Sequence, residues 1–146
     1  MTNSTLNKIF LSEARIAALV LRVPVGLILA AHGAQKLFGW FGGNGLAGTA
    51  GWMSSIGIEP GYLMAILAGS AEFFGGLALV LGLLTRPAAV IAAFTMIVAI
   101  FSVHIGNGLF ASNNGYEYAL TLLVVLVSLA IQGGGYLSLD NQLAKK

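Results

Sequence analysis

Residues Tyr62 to Leu84 read YLMAILAGSAEFFGGLALVLGLL, and this stretch decides the fold. It carries a single charged residue, Glu72. An α-helix of this length spans about 35 Å at its usual rise, enough to cross a hydrocarbon core of about 30 Å. Working outward, three further apolar runs flank it, at about Ala14 to Phe38, Pro87 to Ile105 and Tyr116 to Gln132. Each is near the roughly 20 residues a crossing needs, and the fourth is the shortest. The reading is an all-α integral membrane four-helix bundle spanning 14–132. It has an N-terminal tail at 1–13, a C-terminal tail at 133–146, and helices near 14–38, 62–84, 87–105 and 116–132.

The connections fit that reading. Thr85-Arg86-Pro87 forms a tight hairpin, because proline cannot continue one helix but readily starts the next. Gly39 to Gly61 is a Gly-rich outer loop whose Trp40 and Trp52 suit a membrane–water interface. Gly106 to Gly115 is a polar loop, and Gly133-Gly134-Gly135 stops the fourth run. The first run is long for the core of a cleaved leader, is interrupted by Arg22 and precedes three more spans, so it is read as a span itself.

Composition agrees. Of 146 residues, 58% are hydrophobic and 8% charged, against about a quarter charged in soluble domains. Lipid must therefore be the solvent for most of the surface. The net charge of +2 is small and scattered, with no basic stripe to follow a phosphate backbone, so nucleic acid is excluded as a partner. There are no cysteines, which removes disulfides, thiolate metal sites and a thiol nucleophile from this chain. The glycines near Asn44 match neither a dinucleotide fingerprint nor a P-loop.

Orientation follows from Lys and Arg near the ends of the spans. With four crossings, Lys8, Arg15, Arg86, Lys145 and Lys146 share one side and only Lys36 lies on the other. Both termini are therefore expected in the cytoplasm.

Charge at bilayer depth costs at least about 2.5–3.5 kcal/mol on insertion scales, so each such residue needs a reason. Glu72 has Ala68, Gly69, Gly75 and Gly76 three and four positions away, a stripe of small residues that turns it into the bundle. Arg22 lies at a depth from which its side chain reaches that level, which predicts a buried Arg22–Glu72 ion pair. The pair either locks two helices or takes part in chemistry. Nearer the outer surface, His32 and His104 lie at similar depth on separate helices. Lys36 is one turn above His32, Asn107 is close to His104, and Glu117 opens the fourth helix. These residues admit three readings: a hydrogen-bonding cage for a quinone head group or small anion, a histidine pair for haem b or a metal, or interfacial residues without a ligand. The polar mixture favours quinone over haem b, and no metal is assigned.

Arg22-Val-Pro-Val-Gly26 and His32-Gly33-Ala-Gln-Lys36-Leu-Phe-Gly39 resemble the first helix of the DoxX family of bacterial membrane proteins. Glu72 through Thr85-Arg86-Pro87 resembles its second helix and hairpin. Gly115-Tyr116-Glu117-Tyr118-Ala119-Leu120 and Ser138-Leu139-Asp140 are similar to its fourth helix and exit. The resemblance runs in order over nearly the whole chain. It implies a multi-pass protein of the bacterial inner membrane, in a family named for a subunit of a thiosulfate:quinone oxidoreductase. Relatives are linked with redox complexes, oxidative stress and quinone detoxification. The function expected is a quinone-linked component of a membrane redox or oxidative-stress system, acting with a redox partner protein. The alternatives are a non-catalytic accessory or assembly subunit, and a small-solute carrier using Arg22 and Glu72 as an oligomer.

Overall fold

The computed structural model describes residues 16–144. The tail Met1 to Ser12, and Arg15, Lys145 and Lys146 of the expected orientation, lie outside the described residues. Among those described, the secondary structure is helical throughout. The elements in chain order are α1 (Ile16–Phe38), α2 (Gly45–Ser55), α3 (Gly61–Leu81), α4 (Thr85–Ala99), α5 (Glu117–Gln132) and α6 (Leu139–Ala144). α4 runs on through one π turn, Ile100–His104, and a 3₁₀ turn, Ile105–Asn107.

Among the described residues, three helices are long and apolar enough to cross a membrane: Ile16–Phe38, Gly61–Leu81 and Thr85–Asn107. α5, with 16 residues, is apolar but shorter. Large side chains such as Val20, Phe74, Phe94, Phe101, Val124 and Ile131 point outward. In water so much apolar surface would associate; in lipid it is solvated, while the helices satisfy their own backbone groups. The interior holds Leu29, Leu79, Ala89, Ala92, Leu126 and Leu129 from α1, α3, α4 and α5.

Small residues set the register between α1 and α3. A Cβ on Gly26 would lie 2.6 Å from the Gly76 carbonyl oxygen, and one on Gly33 would lie 2.7 Å from that of Gly69. Two glycine pairs, seven residues apart on both helices, thus bring the backbones into contact. α1 packs along α3, and α4 along α5, whereas α1 and α5 meet at few points.

Two segments expected as a loop and a tail contain helices. The Gly-rich loop contains α2, an eleven-residue helix whose Ala50 and Met53 pack with Ala65 of α3. Burial of that face compensates for glycine's poor helix propensity. The C-terminal tail turns back into the bundle and ends in α6, with Ser138 and Asp140 buried.

Candidate functional site

The glycine contacts place Glu72 at the level of His32 on the neighbouring helix. Lys36 stands one turn further along α1, and helical side chains lean toward their own N-terminus. Its ammonium consequently descends to Glu72: Nζ and Oε2 are 2.5 Å apart. The Glu72 side chain is 6% exposed and that of Lys36 is 25%. A carboxylate so enclosed needs a charged partner, and Lys36 supplies it.

Two further polar side chains complete the cluster. His32 stands beside Tyr118 of α5, ring centroids 6.1 Å apart with planes tilted by 49°. The charges of Lys36 and Glu72 both act on the His32 ring, and that of Glu72 acts on Tyr118. Three helices thus bring an ammonium, a carboxylate, an imidazole and a phenol to one level. Such a set can donate to a ligand carbonyl, balance its charge and exchange protons with it.

On the far side of Lys36 lies a cavity of about 340 Å³, lined by Gln35, Lys36, Gly42, Gly43, Asn44, Thr49 and Trp52. The chain folds tightly around it. Thr49 Oγ1 donates to the Lys36 carbonyl and Gln35 Nε2 to that of Phe41. Phe38, Trp40 and Phe73 pack edge to face or tilted alongside, with Trp40 and Phe41 exposed as in an interfacial belt.

The expected cage therefore divides in two. His32 and Lys36 belong to the cluster around Glu72. His104, Asn107 and Glu117 instead organise the loop between α4 and α5. His104 Nδ1 lies 2.8 Å from the Asn114 carbonyl oxygen, and Asn107 Nδ2 donates to the carbonyls of Val103 and Asn114. Glu117 Oε1 accepts the Ala111 N–H at 2.6 Å. Exposed loop carbonyls and amides satisfy these side chains locally. Among the described residues no group of three or more His, Asp or Glu is placed to hold a metal ion.

The predicted Arg22–Glu72 pair does not form. The Arg22 guanidinium lies beside Gly82, where an added Cβ would come within 2.9 Å of its Cζ; Gly82 is ten residues, or about 15 Å, from Glu72. Arg22 is 1% exposed. Its Nε donates to Gly134 O; NH1 donates to Leu79 O and Val80 O, and NH2 to Tyr136 O and Leu137 O. The guanidinium fork thus ties the end of α3 to the C-terminal tail. Asp140, whose charge acts on Arg22, accepts the N–H groups of Leu84 and Thr85 at 2.7 and 2.8 Å and so caps α4. This end of the bundle is a structural clasp.

Sequence reading missed Tyr118 and Asp140 as contributors. Both residues stand in stretches that carry the family resemblance, and that was the available signal.

The family model for DoxX matches residues 17–105. The chain belongs to the DoxX family. Among relatives of this DoxX chain, a Bacillus subtilis protein named "Putative oxidoreductase CatD" is 34% identical over 125 residues, covering 86% of this chain and 85% of the relative. Inner membrane protein YqjF of Escherichia coli is 35% identical over 114 residues, covering 74% and 82%. An uncharacterized protein of Haemophilus influenzae is 34% identical over 133 residues, covering 86% and 90%. No solved structure matches the chain. With three helices among the described residues long and apolar enough to span a bilayer, this is a multi-pass inner-membrane DoxX protein.

Proposed function

We propose that this DoxX protein is a quinone-linked component of a membrane redox or oxidative-stress system that works with a partner protein. The observation that carries the reading is the enclosed Lys36–Glu72 pair with His32 and Tyr118 beside it. A quinone carbonyl needs a hydrogen-bond donor when bound and a proton source when reduced. His32, Lys36 and Tyr118 carry donors at a depth a lipid-soluble ring can reach. The chain has no cysteine, so thiol chemistry belongs to a substrate or a partner. The name of the Bacillus relative supports an oxidoreductase setting.

This reading includes four crossings with both ends in the cytoplasm. α5 is about 24 Å long, which serves a slightly thinned bilayer or one bordered by its own interfacial side chains. The carrier alternative loses its paired site, since Arg22 and Glu72 are engaged at separate levels.

The test is extraction of the protein in native-lipid nanodiscs, followed by mass spectrometry of the bound small molecules. Quinone enriched over bulk lipid, and lost in Lys36→Met or His32→Ala, supports the proposal. Quinone at bulk level, with a stoichiometric protein partner retained, transfers support to the accessory-subunit reading.

A further inference from the structure

The Lys36–Glu72 pair has two approaches of opposite character. One is the cavity at Gln35, Asn44, Thr49 and Trp52, lined by amide, hydroxyl and backbone groups. The other is the seam between α1 and α5. The helix ring closes loosely there, because α1 lies along α3 and α5 along α4 while α1 and α5 touch sparsely.

The seam is not apolar at the level of the pair. Tyr118 stands at it with 45% of its surface exposed, and His32 faces it half-buried. Neither the Tyr118 hydroxyl nor the His32 ring nitrogens have a hydrogen-bond partner among the described residues. Donors facing lipid without partners are costly, since hydrocarbon offers no compensation. Below them the seam becomes apolar. Ile28, one turn before His32, is 36% exposed, and Val125, two turns beyond Tyr118, is partly buried. Polar side chains above an apolar stretch match a molecule with a carbonyl-bearing ring and a hydrocarbon tail.

We infer that the α1–α5 seam is the ligand's doorway: a membrane-soluble quinone enters sideways from the bilayer, its ring carbonyl at the outer edge of the His32–Tyr118 pair and its tail in an apolar slot along Ile28 and Val125. The polar cavity serves water and protons. Tyr118 is then a binding residue, donating its O–H to a ring carbonyl. This rests on the quinone reading above and adds the route and the residue.

The test uses the full chain in nanodiscs with two probes, a benzoquinone bearing a decyl tail and the same ring without a tail. Affinities are measured for wild type, Ile28→Trp, Asn44→Trp and Tyr118→Phe. Ile28→Trp is expected to weaken the tailed probe at least about tenfold and the tail-less ring far less, because it obstructs only the slot. Tyr118→Phe is expected to weaken both about fivefold, the loss of one neutral hydrogen bond. Asn44→Trp should leave the tailed probe unaffected.

The inference is overturned if Asn44→Trp weakens the tailed probe while Ile28→Trp does not, since the ligand then comes through the cavity. It is equally overturned if decanol displaces the tailed probe as well as the tail-less quinone does, since the slot then holds any alkyl chain. If neither probe binds wild type, the quinone reading itself fails. Should Ile28→Trp unfold in a thermal scan, Thr121→Trp, three positions beyond Tyr118, obstructs the same slot from α5.

Discussion

Lys36 of α1 and Glu72 of α3 meet at 2.5 Å across a helix contact made of glycines. The two partners differ in access to water, because Lys36 borders the cavity and Glu72 does not. That asymmetry sets the order of the variants. Lys36→Met leaves a buried carboxylate alone and should cost about 3–5 kcal/mol, the range for breaking a buried pair. Glu72→Gln leaves an ammonium that can turn to water and should cost about 1–2 kcal/mol. The double variant should be more stable than Lys36→Met alone. Thermal unfolding in one detergent checks the ranking, and equal losses for both single variants would refute it.

Arg22→Lys is expected to be nearly as damaging as Arg22→Met. A lysine has three donors on one atom and cannot span the carbonyls of Leu79, Val80, Gly134, Tyr136 and Leu137 together. The loss should reach about 3 kcal/mol or more, as buried carbonyls lose their partners. Limited proteolysis reads the specific consequence: cleavage between Gly133 and Ser138 should appear in both variants and be absent from wild type.

Gly33→Val places a side chain against the backbone of Phe73 and the Gly69 carbonyl. Neither can yield without moving α3, so a loss of about 3 kcal/mol or more is expected, at the upper end for overpacking. Gly51→Ala, which meets open space, is the control and should be neutral or slightly stabilising. Melting temperatures of the two variants decide it.

Asp140→Asn keeps a side-chain oxygen near the start of α4 but loses the negative charge there. It should cost about 1 kcal/mol, and Asp140→Ala about 2 kcal/mol. Hydrogen exchange at Leu84 and Thr85 should accelerate in the same order.

His104→Gln and Glu117→Ala should alter the 108–116 loop while leaving quinone affinity within about twofold of wild type, because loop backbone engages both side chains. Quinone titration of these variants beside His32→Ala separates the loop from the Lys36–Glu72 cluster. A loss as large as that of His32→Ala would place the loop in the site.

The apolar runs were legible because lipid imposes one pattern on any helix that faces it, and the positions of Glu72, His32 and Lys36 within those runs followed directly. Partner choice was not legible. Depth counted from helix ends depends on where each helix begins, and an error of a few residues moves Glu72 from Lys36 to Arg22. Gly26, Gly33, Gly69 and Gly76 carried the register, yet glycine spacing on one helix does not say which helix receives it. α2 was hidden because its glycines and alanines resemble a loop. Asp140 was hidden because its N–H partners lie 55 and 56 residues away.

The clasp at Arg22 has a consequence for biosynthesis. Its acceptors at Gly134, Tyr136 and Leu137 lie 112 to 115 residues further along the chain. At a synthesis rate of about 5–20 residues per second, the guanidinium waits roughly 6–23 s for them. Once α3 has emerged, Leu79 and Val80 can engage NH1, but Nε and NH2 still lack their final acceptors. A nascent product that stops before Gly134 can insert its helices but leaves Nε and NH2 of Arg22 without acceptors. One early arginine therefore distinguishes finished chains from interrupted ones.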